Sequence, residues 1–327
     1  MIFEFDADQR LLRRTVREVL AKECTPALVR GVVDDGVDPE PLWHTYAGLG
    51  WTELTSTDEL VELAIVLEEL GRVTDPTPYL ATMTQFAPLA SGRDGPGAAV
   101  YDGVSARPDG DGWVLSGTAS HVLDGDRAES LAIVTGAGVF VVSASAVQAK
   151  RAPAFDPLLH LAEVTVPEIR VTDRVEVDVV LARQVAVTGL ALTMVGACQR
   201  ILDLTLEHVR GRSQFGAPVG SFQAVQHKAA DMHVAIERAR ALAYFAALTL
   251  AAGDPRRAMA ASMAKAAAGE CQSLVFRNGY QLFGAMGYTW ENDLQFALKR
   301  AKAGELMLGG AAEHRARVVE EHHALEL

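Results

Sequence analysis

The sequence has little of what marks several functional classes. It has no run of basic residues, and its net charge of −12 disfavours a polyanionic partner, so no nucleic acid is expected. Its three cysteines are few and odd in number, which disfavours a disulfide framework and makes a reducing cytoplasm the expected compartment. No phosphate-cradling GxxxxGK[ST] or GxGxxG pattern occurs.

Long hydrophobic runs are also missing. The longest uncharged apolar stretches, around Val185–Cys198 and Ala241–Gly253, fall short of the roughly 18–20 residues that span a bilayer, so they are predicted to be buried helices. The first residues show no basic region followed by an apolar one, and neither a signal peptide nor a membrane is expected. His322 and His323 are adjacent, without the i, i+4 spacing of a helical ligand pair, so no metal site is expected.

A helical period is present at both ends of the chain, with a strand pattern between them. Residues 1–95 are predicted to form an N-terminal helical domain and residues 96–180 a β-domain, either a barrel or a sandwich. Residues 181–327 are predicted to form a helical bundle. The expected fold class is therefore α+β, mainly α.

Several local features follow from the same patterns. Gly71 is predicted to end a helix, Ser221 to be an N-cap, and Val171–Val179 to be an alternating strand. The predicted helices of the last third run near 181–211, 222–251, 256–283, 293–308 and 311–325.

Three motifs in the last third share one resemblance. They are the run Arg212-Ser-Gln-Phe-Gly-Ala-Pro-Val-Gly-Ser-Phe-Gln-Ala-Val-Gln226, the triplet Ala230-Asp-Met232, and Gln281-Leu-Phe-Gly-Ala-Met-Gly287. The first resembles the flavin-binding signature of acyl-CoA dehydrogenases, an Arg-x-x-Phe-Gly followed by a short loop and Phe/His-Gln. The resemblance implies the three-part acyl-CoA dehydrogenase fold and FAD as cofactor.

The resemblance also assigns cofactor contacts. In the family, the residues that match Arg212, Gln214, Phe215 and Gln223 contact the FAD of the neighbouring subunit. A planar guanidinium donates two parallel hydrogen bonds to a pyrophosphate, which suits Arg212 to that role. The glycine-containing segment with Gln281, Gly284 and Ala285 is expected to let the backbone approach the same phosphates.

The catalytic base of the family has no counterpart here. Many members carry it as a glutamate after a helix that ends Leu-x-Arg-Asp-Ala, and the register places Gly309 at that position. Other members carry it in the helix before Arg-x-x-Phe-Gly, and counting back from Arg212 reaches Ala186. Neither residue can accept a proton, so no catalytic residue is assigned. Glu305, one turn before Gly309, is a weak substitute that is more readily explained as a solvated helix charge.

The chain's own flavin pocket departs from the family as well. Ala311 and Glu313 lie where the family contacts its own subunit's FAD, and neither matches the usual Thr and Gln. Family members usually carry a Thr-Glu-Pro-x-Ala-Gly-Ser-Asp segment that touches the flavin, and it has no counterpart between Pro88 and Gly112. The family's next motif, Gly-x-Lys-x-Trp-Ile-Thr-Asn, corresponds here to Gly117-Thr-Ala-Ser-His-Val-Leu-Asp124. Its Trp and Thr, which shield and hydrogen-bond the flavin, align with His121 and Leu123.

These departures favour a non-base subunit of a heteromeric acyl-CoA dehydrogenase. The segment Gly287-Tyr-Thr-Trp-Glu-Asn-Asp-Leu-Gln-Phe-Ala-Leu-Lys-Arg300 resembles the actinobacterial members that act on CoA thioesters of steroid side chains, several of which are α2β2 assemblies. A sister subunit is then the expected partner and binds most of the acyl-CoA substrate. Two alternatives stay open: a self-sufficient dehydrogenase with a relocated base at Glu305, and a non-enzymatic scaffold that keeps the fold.

Overall fold

The computed structural model describes residues 4–90 and 92–326, and side chains as far as residue 323. The described part is mainly helical with a strand-rich middle, which confirms the predicted fold class. Its α-helices are α1 (Ala7–Glu23), α2 (Pro26–Arg30), α3 (Glu40–Gly48), α4 (Leu60–Val73), α5 (Tyr79–Ala81), α6 (Val179–Gly211), α7 (Gln223–Ala251), α8 (Arg257–Phe283), α9 (Leu294–Leu306) and α10 (Ala311–Glu326). All five helices predicted for the last third are present, with ends within about two residues of the expected ones.

The strands fall between α5 and α6, apart from one short hairpin. They are β1 (Gly97–Val100), β2 (Val104–Asp109), β3 (Gly112–Leu123), β4 (Ser130–Thr135), β5 (Gly138–Ser143), β6 (Gln148–Ala152), β7 (Leu161–Val171), β8 (Ser213–Gln214) and β9 (Ala217–Pro218). Contacts divide the chain into two compact units, each discontinuous in sequence. The helical unit comprises the described residues of Met1–Val37, Ser56–Asp75 and Val187–Leu327, and the strand-containing unit comprises Asp38–Thr55 and Pro76–Ala186. The three-domain boundaries drawn from the sequence stay a prediction.

The helical unit is built on α6, α7 and α8, whose facing side chains form one apolar core. This core includes several small residues, among them Ala197, Ala239 and Ala267, which allow close approach of the helices. α4 crosses α6 at glycines: a Cβ on Gly71 would lie 2.2 Å from the carbonyl oxygen of Thr193. The prediction that Gly71 ends α4 is therefore wrong, since the helix continues to Val73 and Gly71 is a packing residue.

The strand-containing unit has two sheets. One has the order β1-β4-β5 and the other β2-β3-β7-β6, and side chains from both share a core that includes Leu115, Ile133 and Val164. This arrangement is a sandwich, one of the two predicted options. The predicted strand at Val171–Val179 is wrong, because β7 ends at Val171 and α6 begins at Val179. Between them only Val175 makes an isolated bridge, to Val139.

Two further observations concern the long helices. By length and composition α6 could cross a membrane, but 72% of its most apolar stretch is buried inside the protein, as in a core helix. α7 begins at Gln223 after Phe222, with no side-chain cap. Ser221 is therefore not the predicted N-cap; its hydroxyl donates to the carbonyl oxygen of Pro218 at 2.7 Å and closes the turn before the helix.

Candidate functional site

The loop after α6 exposes the first group of predicted cofactor residues. The backbone N–H of Val219 donates to the carbonyl of Arg212, and β8 pairs with β9 to form a tight hairpin. Phe215 lies at its tip in a left-handed conformation with φ of +56°, and 93% of its surface is exposed. Positive φ is uncommon for a bulky residue, which indicates that the tight hairpin imposes this conformation. The Phe215 ring therefore lies in solvent and does not pack into the core of its own chain.

The end of α8 exposes the second group. Gly284 follows the helix with φ of +64° and ψ of −145°, a combination that is essentially restricted to glycine. No atom lies within 4 Å of the position where its Cβ would be. The backbone at Gly284 and Ala285 is therefore open to close approach by a ligand.

A ring stack holds these two helix ends together. The imidazole of His208, one turn before Arg212, stacks on Phe283 with centroids 4.4 Å apart and planes 12° from parallel. Burial lowers the pKa of His208, and the positive charge of Arg212 lowers it further, so the guanidinium is close enough to act on this ring. His208 is predicted to be a packing or surface residue, and it packs the two predicted cofactor segments against each other.

The polar side chains of the two segments have no side-chain partners in the described parts of the chain. Arg212, Gln214, Gln223 and Gln281 are exposed, and none of them makes a side-chain hydrogen bond or ion pair with another residue in the described parts of the chain. Phe215 makes an edge-to-face contact with Phe222, at 6.3 Å between ring centroids. The structure thus brings together all seven predicted residues at one end of the helical unit, with donors directed to no partner within the described chain.

Position 309, where the family's base would lie, is not suited to a side chain. Gly309 has φ of +94°, and a Cβ there would meet the carboxylate of Glu313 at 2.9 Å. The Glu313 side chain could move, but the backbone strain would remain, and a glutamate here would add a second negative charge. Glu313 itself forms an ion pair with Arg317, at 2.5 Å between the carboxylate and guanidinium.

Glu305, the weak substitute for the base, is engaged in holding this loop. One carboxylate oxygen accepts a 3.0 Å hydrogen bond from the backbone N–H of Ala311, the first residue of α10. That contact caps a helix N-terminus, where a negative charge is favourable. The other oxygen is buried without a hydrogen-bond partner, and Gly269 leaves the space in which it lies.

Lys265 is the residue of this region that sequence reasoning missed. It is fully buried in α8, and its amine donates to the carbonyl of Gly309 at 2.6 Å. Burial lowers its pKa to about 8, although the nearby carboxylates of Glu305 and Glu313 oppose the shift. The signal available was its place in an apolar run, Met263-Ala-Lys-Ala-Ala-Ala268, where a lone lysine must find a buried partner.

The remaining predicted positions lie in the strand-containing unit. Position 186, the second expected place for a base, is an alanine that is fully buried in α6 and has no titratable group. His121 lies within β3, at an irregularity in the pairing of β3 with β7. Its φ is +61° and its side chain is exposed, whereas Leu123, which aligns with the flavin-binding threonine, is buried.

Comparison with known proteins shows which family the chain belongs to. Residues 185–323 match the family model of the acyl-CoA dehydrogenase C-terminal domain. The chain is 32% identical to the acyl-CoA dehydrogenase IpdE2 of Mycolicibacterium smegmatis over 317 residues, which cover 94% of this chain and 96% of that protein. The chain therefore belongs to the acyl-CoA dehydrogenase family.

Solved structures agree with the assignment. The ChsE4-ChsE5 complex from Mycobacterium tuberculosis has a chain of the same fold, with a TM-score of 0.87, 23% identity and 99% of both chains covered. A variant of the Tcur3481-Tcur3483 steroid ACAD gives a TM-score of 0.84 at 25% identity, with 97% of this chain and 98% of that chain covered. This similarity confirms the predicted acyl-CoA dehydrogenase fold.

FAD is the cofactor of this family, and the exposed end of the helical unit fits one part of it. The unpaired Arg212 guanidinium and the open backbone at Gly284 provide a donor fork and a close approach, as a pyrophosphate requires. The unpaired amides of Gln214, Gln223 and Gln281 add neutral donors beside it. In contrast, Glu313, at a position where the resemblance leads us to expect a contact with the chain's own FAD, presents a carboxylate, and like charge disfavours phosphates there.

Proposed function

We propose that this chain is the non-base subunit of a heteromeric acyl-CoA dehydrogenase and completes the FAD site of a sister subunit. The sister subunit carries the carboxylate that removes the α-proton of the acyl-CoA thioester. Bound FAD supplies the acceptor for the β-hydride. This chain contributes binding and orientation: Arg212 neutralises and fixes the pyrophosphate, and Phe215 covers part of the cofactor from water.

The observation that carries the proposal is a contrast within the helical unit. The residues that would serve a neighbour's cofactor are exposed, unpaired and held together by the His208–Phe283 stack. The position that would serve the chain's own chemistry is a glycine with φ of +94° beside the Glu313 carboxylate. A self-sufficient enzyme needs both sets, and a completing subunit needs only the first.

The surface near the cofactor residues supports a protein partner. Phe215 and Phe222 of one segment, and Met286 and Tyr288 of the other, expose large apolar areas. Exposed aromatic residues are enriched at protein interfaces, because their burial removes much apolar surface from water. We infer that the sister subunit covers them when it brings its FAD against Arg212.

Similarity to a solved steroid ACAD supports a proposal for the substrate class. The chain is 25% identical to a chain of the Tcur3481-Tcur3483 steroid ACAD over nearly its full length. We therefore propose a CoA thioester of a steroid side chain or steroid-derived acid. The acyl group is selected chiefly by pocket walls of the sister subunit.

Flavin content per chain tests the proposal. The chain is purified alone and together with an acyl-CoA dehydrogenase encoded beside it, and flavin is measured by absorbance after denaturation. We expect no flavin with the chain alone and about one flavin per two chains in the co-purified complex, since each shared site uses one of each. One flavin per chain in the protein expressed alone would overturn the proposal.

Arg212→Ala distinguishes the completing subunit from a scaffold. If Arg212 binds the pyrophosphate, the variant complex loses FAD while its subunits stay associated. Arg210→Ala is the matched control, because Arg210 lies two residues before Arg212, at the end of α6, and is exposed without an ion pair in the described parts of the chain. Equal flavin retention in both variants would favour the non-enzymatic scaffold.

A further inference from the structure

The helical unit contains a cavity that has no part in the proposed flavin site. Its volume is about 440 Å³, which is within the usual size of a small-molecule pocket. α1, α2, α4, α6 and α9 all contribute to its wall. The exposed Arg212 loop and the Gly284 segment contribute nothing to it.

Both carboxylates in the wall already form ion pairs with arginines. Glu69 accepts from the guanidinium of Arg17 at 2.8 Å and from that of Arg13 at 3.1 Å. Asp293 accepts from Arg30 at 2.5 Å. Neither carboxylate is therefore left to attract a cation, and neither repels an anion strongly.

The arginines in the wall are not all matched. Arg17 pairs with Glu69, and Arg72 pairs with Asp203 at 2.6 Å. Arg200, a half-buried residue of α6, has neither a hydrogen bond nor an ion pair anywhere in residues 4–90 and 92–326. One guanidinium is thus left at the cavity with five N–H donors and no acceptor among those residues.

Apart from Thr74, the uncharged residues of the wall are mainly apolar. Leu20 and Val29 are buried on one side, and Phe296 and Ala297 on another. Cys24 lies in the same wall with its thiol protonated, because burial raises its pKa well above the usual range. A wall with an apolar part, paired charges and one unpaired guanidinium suits a ligand that has an apolar body and one negative charge.

We propose that this cavity binds a small amphipathic carboxylate, with its carboxylate paired to Arg200 and its apolar body against Leu20, Val29 and Phe296. The assignment rests on charge matching: the guanidinium is the unpaired group, and a carboxylate accepts two of its donors in parallel. The cavity wall contains none of the residues of the proposed flavin site.

Binding of octanoate to the full chain, alone or with its co-purified partner, tests the proposal by isothermal titration calorimetry. We expect one saturable site per chain and at least about tenfold weaker binding of 1-octanol, which has the same apolar body without the charge. Arg200→Gln is expected to weaken octanoate binding about tenfold or more, because a charge-assisted hydrogen bond is lost. Arg210→Gln, on the same helix but outside the cavity, is expected to bind as the wild type does.

A second variant locates the ligand without changing charge. Ala21 lines the cavity but is exposed, so Ala21→Trp narrows the site and leaves the core intact. We expect it to abolish octanoate binding. The proposal is overturned if the wild type shows no saturable site, if octanol binds as well as octanoate, or if Ala21→Trp binds normally. Equal weakening by the Arg200 and Arg210 substitutions would also overturn it, as general electrostatic attraction.

Discussion

The buried amine of Lys265 donates a 2.6 Å hydrogen bond to the carbonyl oxygen of Gly309. It thereby fixes the backbone of the turn between α9 and α10 from the neighbouring helix α8. Glu305 completes the turn by accepting from the N–H of Ala311. The segment where the resemblance leads us to expect a base is here a turn held by two hydrogen bonds.

Lys265→Met is expected to change how stability depends on pH. The folded-state pKa of Lys265 is about 8, below the ordinary value of 10.5, so the unfolded chain holds a proton that the folded chain has released between these values. The wild type should therefore gain stability relative to the variant as pH rises from about 8 to about 10.5, by up to about 3 kcal/mol. Below pH 8 the difference should be constant.

Denaturant unfolding at several pH values measures this difference. Lys22→Met is the control, because Lys22 is 83% exposed and no burial cost attaches to its ammonium group. A stability difference between wild type and Lys265→Met that stays flat from pH 8 to 10.5 would mean that the amine is not desolvated in the folded protein.

Gly309→Glu is not expected to restore a working base. The backbone at φ of +94° strains any side chain, and the Glu313 carboxylate lies only 2.9 Å from the position of the new Cβ. We expect a loss of about 1–3 kcal/mol of stability and no turnover by the chain alone. Gly136→Glu is the control, since Gly136 is exposed, has no positive φ, and has no atom within 4 Å of the position that a Cβ would take. Turnover of an acyl-CoA by the Gly309 variant alone would contradict the proposed division of roles.

Glu305→Gln separates a structural role from a catalytic one. The glutamine carbonyl can still accept from the N–H of Ala311, so the cap of α10 is retained. We expect flavin content and turnover of the complex to stay within about twofold of the wild type, because no proton transfer passes through this group. Turnover reduced to background with flavin still bound would identify Glu305 as a relocated base.

Arg212→Lys tests the geometry of the phosphate contact. Lysine keeps the positive charge but lacks the planar fork that donates two parallel hydrogen bonds. We expect FAD to dissociate from the complex at least about tenfold more readily than from the wild type. Retention equal to that of the wild type would show that charge alone holds the cofactor, and the measurement is flavin fluorescence released on dilution.

Gly71→Ala tests the close crossing of α4 and α6. The added methyl group would lie 2.2 Å from the Thr193 carbonyl oxygen, which belongs to a helix backbone and cannot move aside. We expect a loss of about 2–4 kcal/mol in the free energy of unfolding. Gly48→Ala, in α3 with no atom within 4 Å of its Cβ position, should instead be neutral or stabilising by about 0.5–1 kcal/mol. Equal effects would contradict the packing explanation.

The sequence predicts the helices well because their apolar period is sustained over many turns. α7 and α8 are predicted near 222–251 and 256–283, and they run over Gln223–Ala251 and Arg257–Phe283. Prediction from the sequence fails where one residue type has two structural roles, as glycine does when it either ends a helix or allows two helices to pack closely. Gly71 has the composition of a helix end, but its role depends on a partner helix that lies more than a hundred residues away in the chain.

The candidate site is predictable in its residue types and not in its connections. The motif around Arg212 names the exposed residues, yet no local pattern shows that His208 and Phe283 stack and join the two segments. The amine of Lys265 is similarly paired with a carbonyl 44 residues away. Such pairings depend on tertiary packing, which a single sequence does not encode in any short window.

The conformation of Gly309 has an evolutionary consequence. Under the proposed function, self-sufficiency would require a glutamate at this position, a new backbone path to accommodate it, and relocation of the Glu313 carboxylate. Each of these changes alone would lower stability without giving activity, so selection would favour none of them singly. The dependence of the chain on its sister subunit would then be hard to reverse, and loss of either gene would abolish the activity of both.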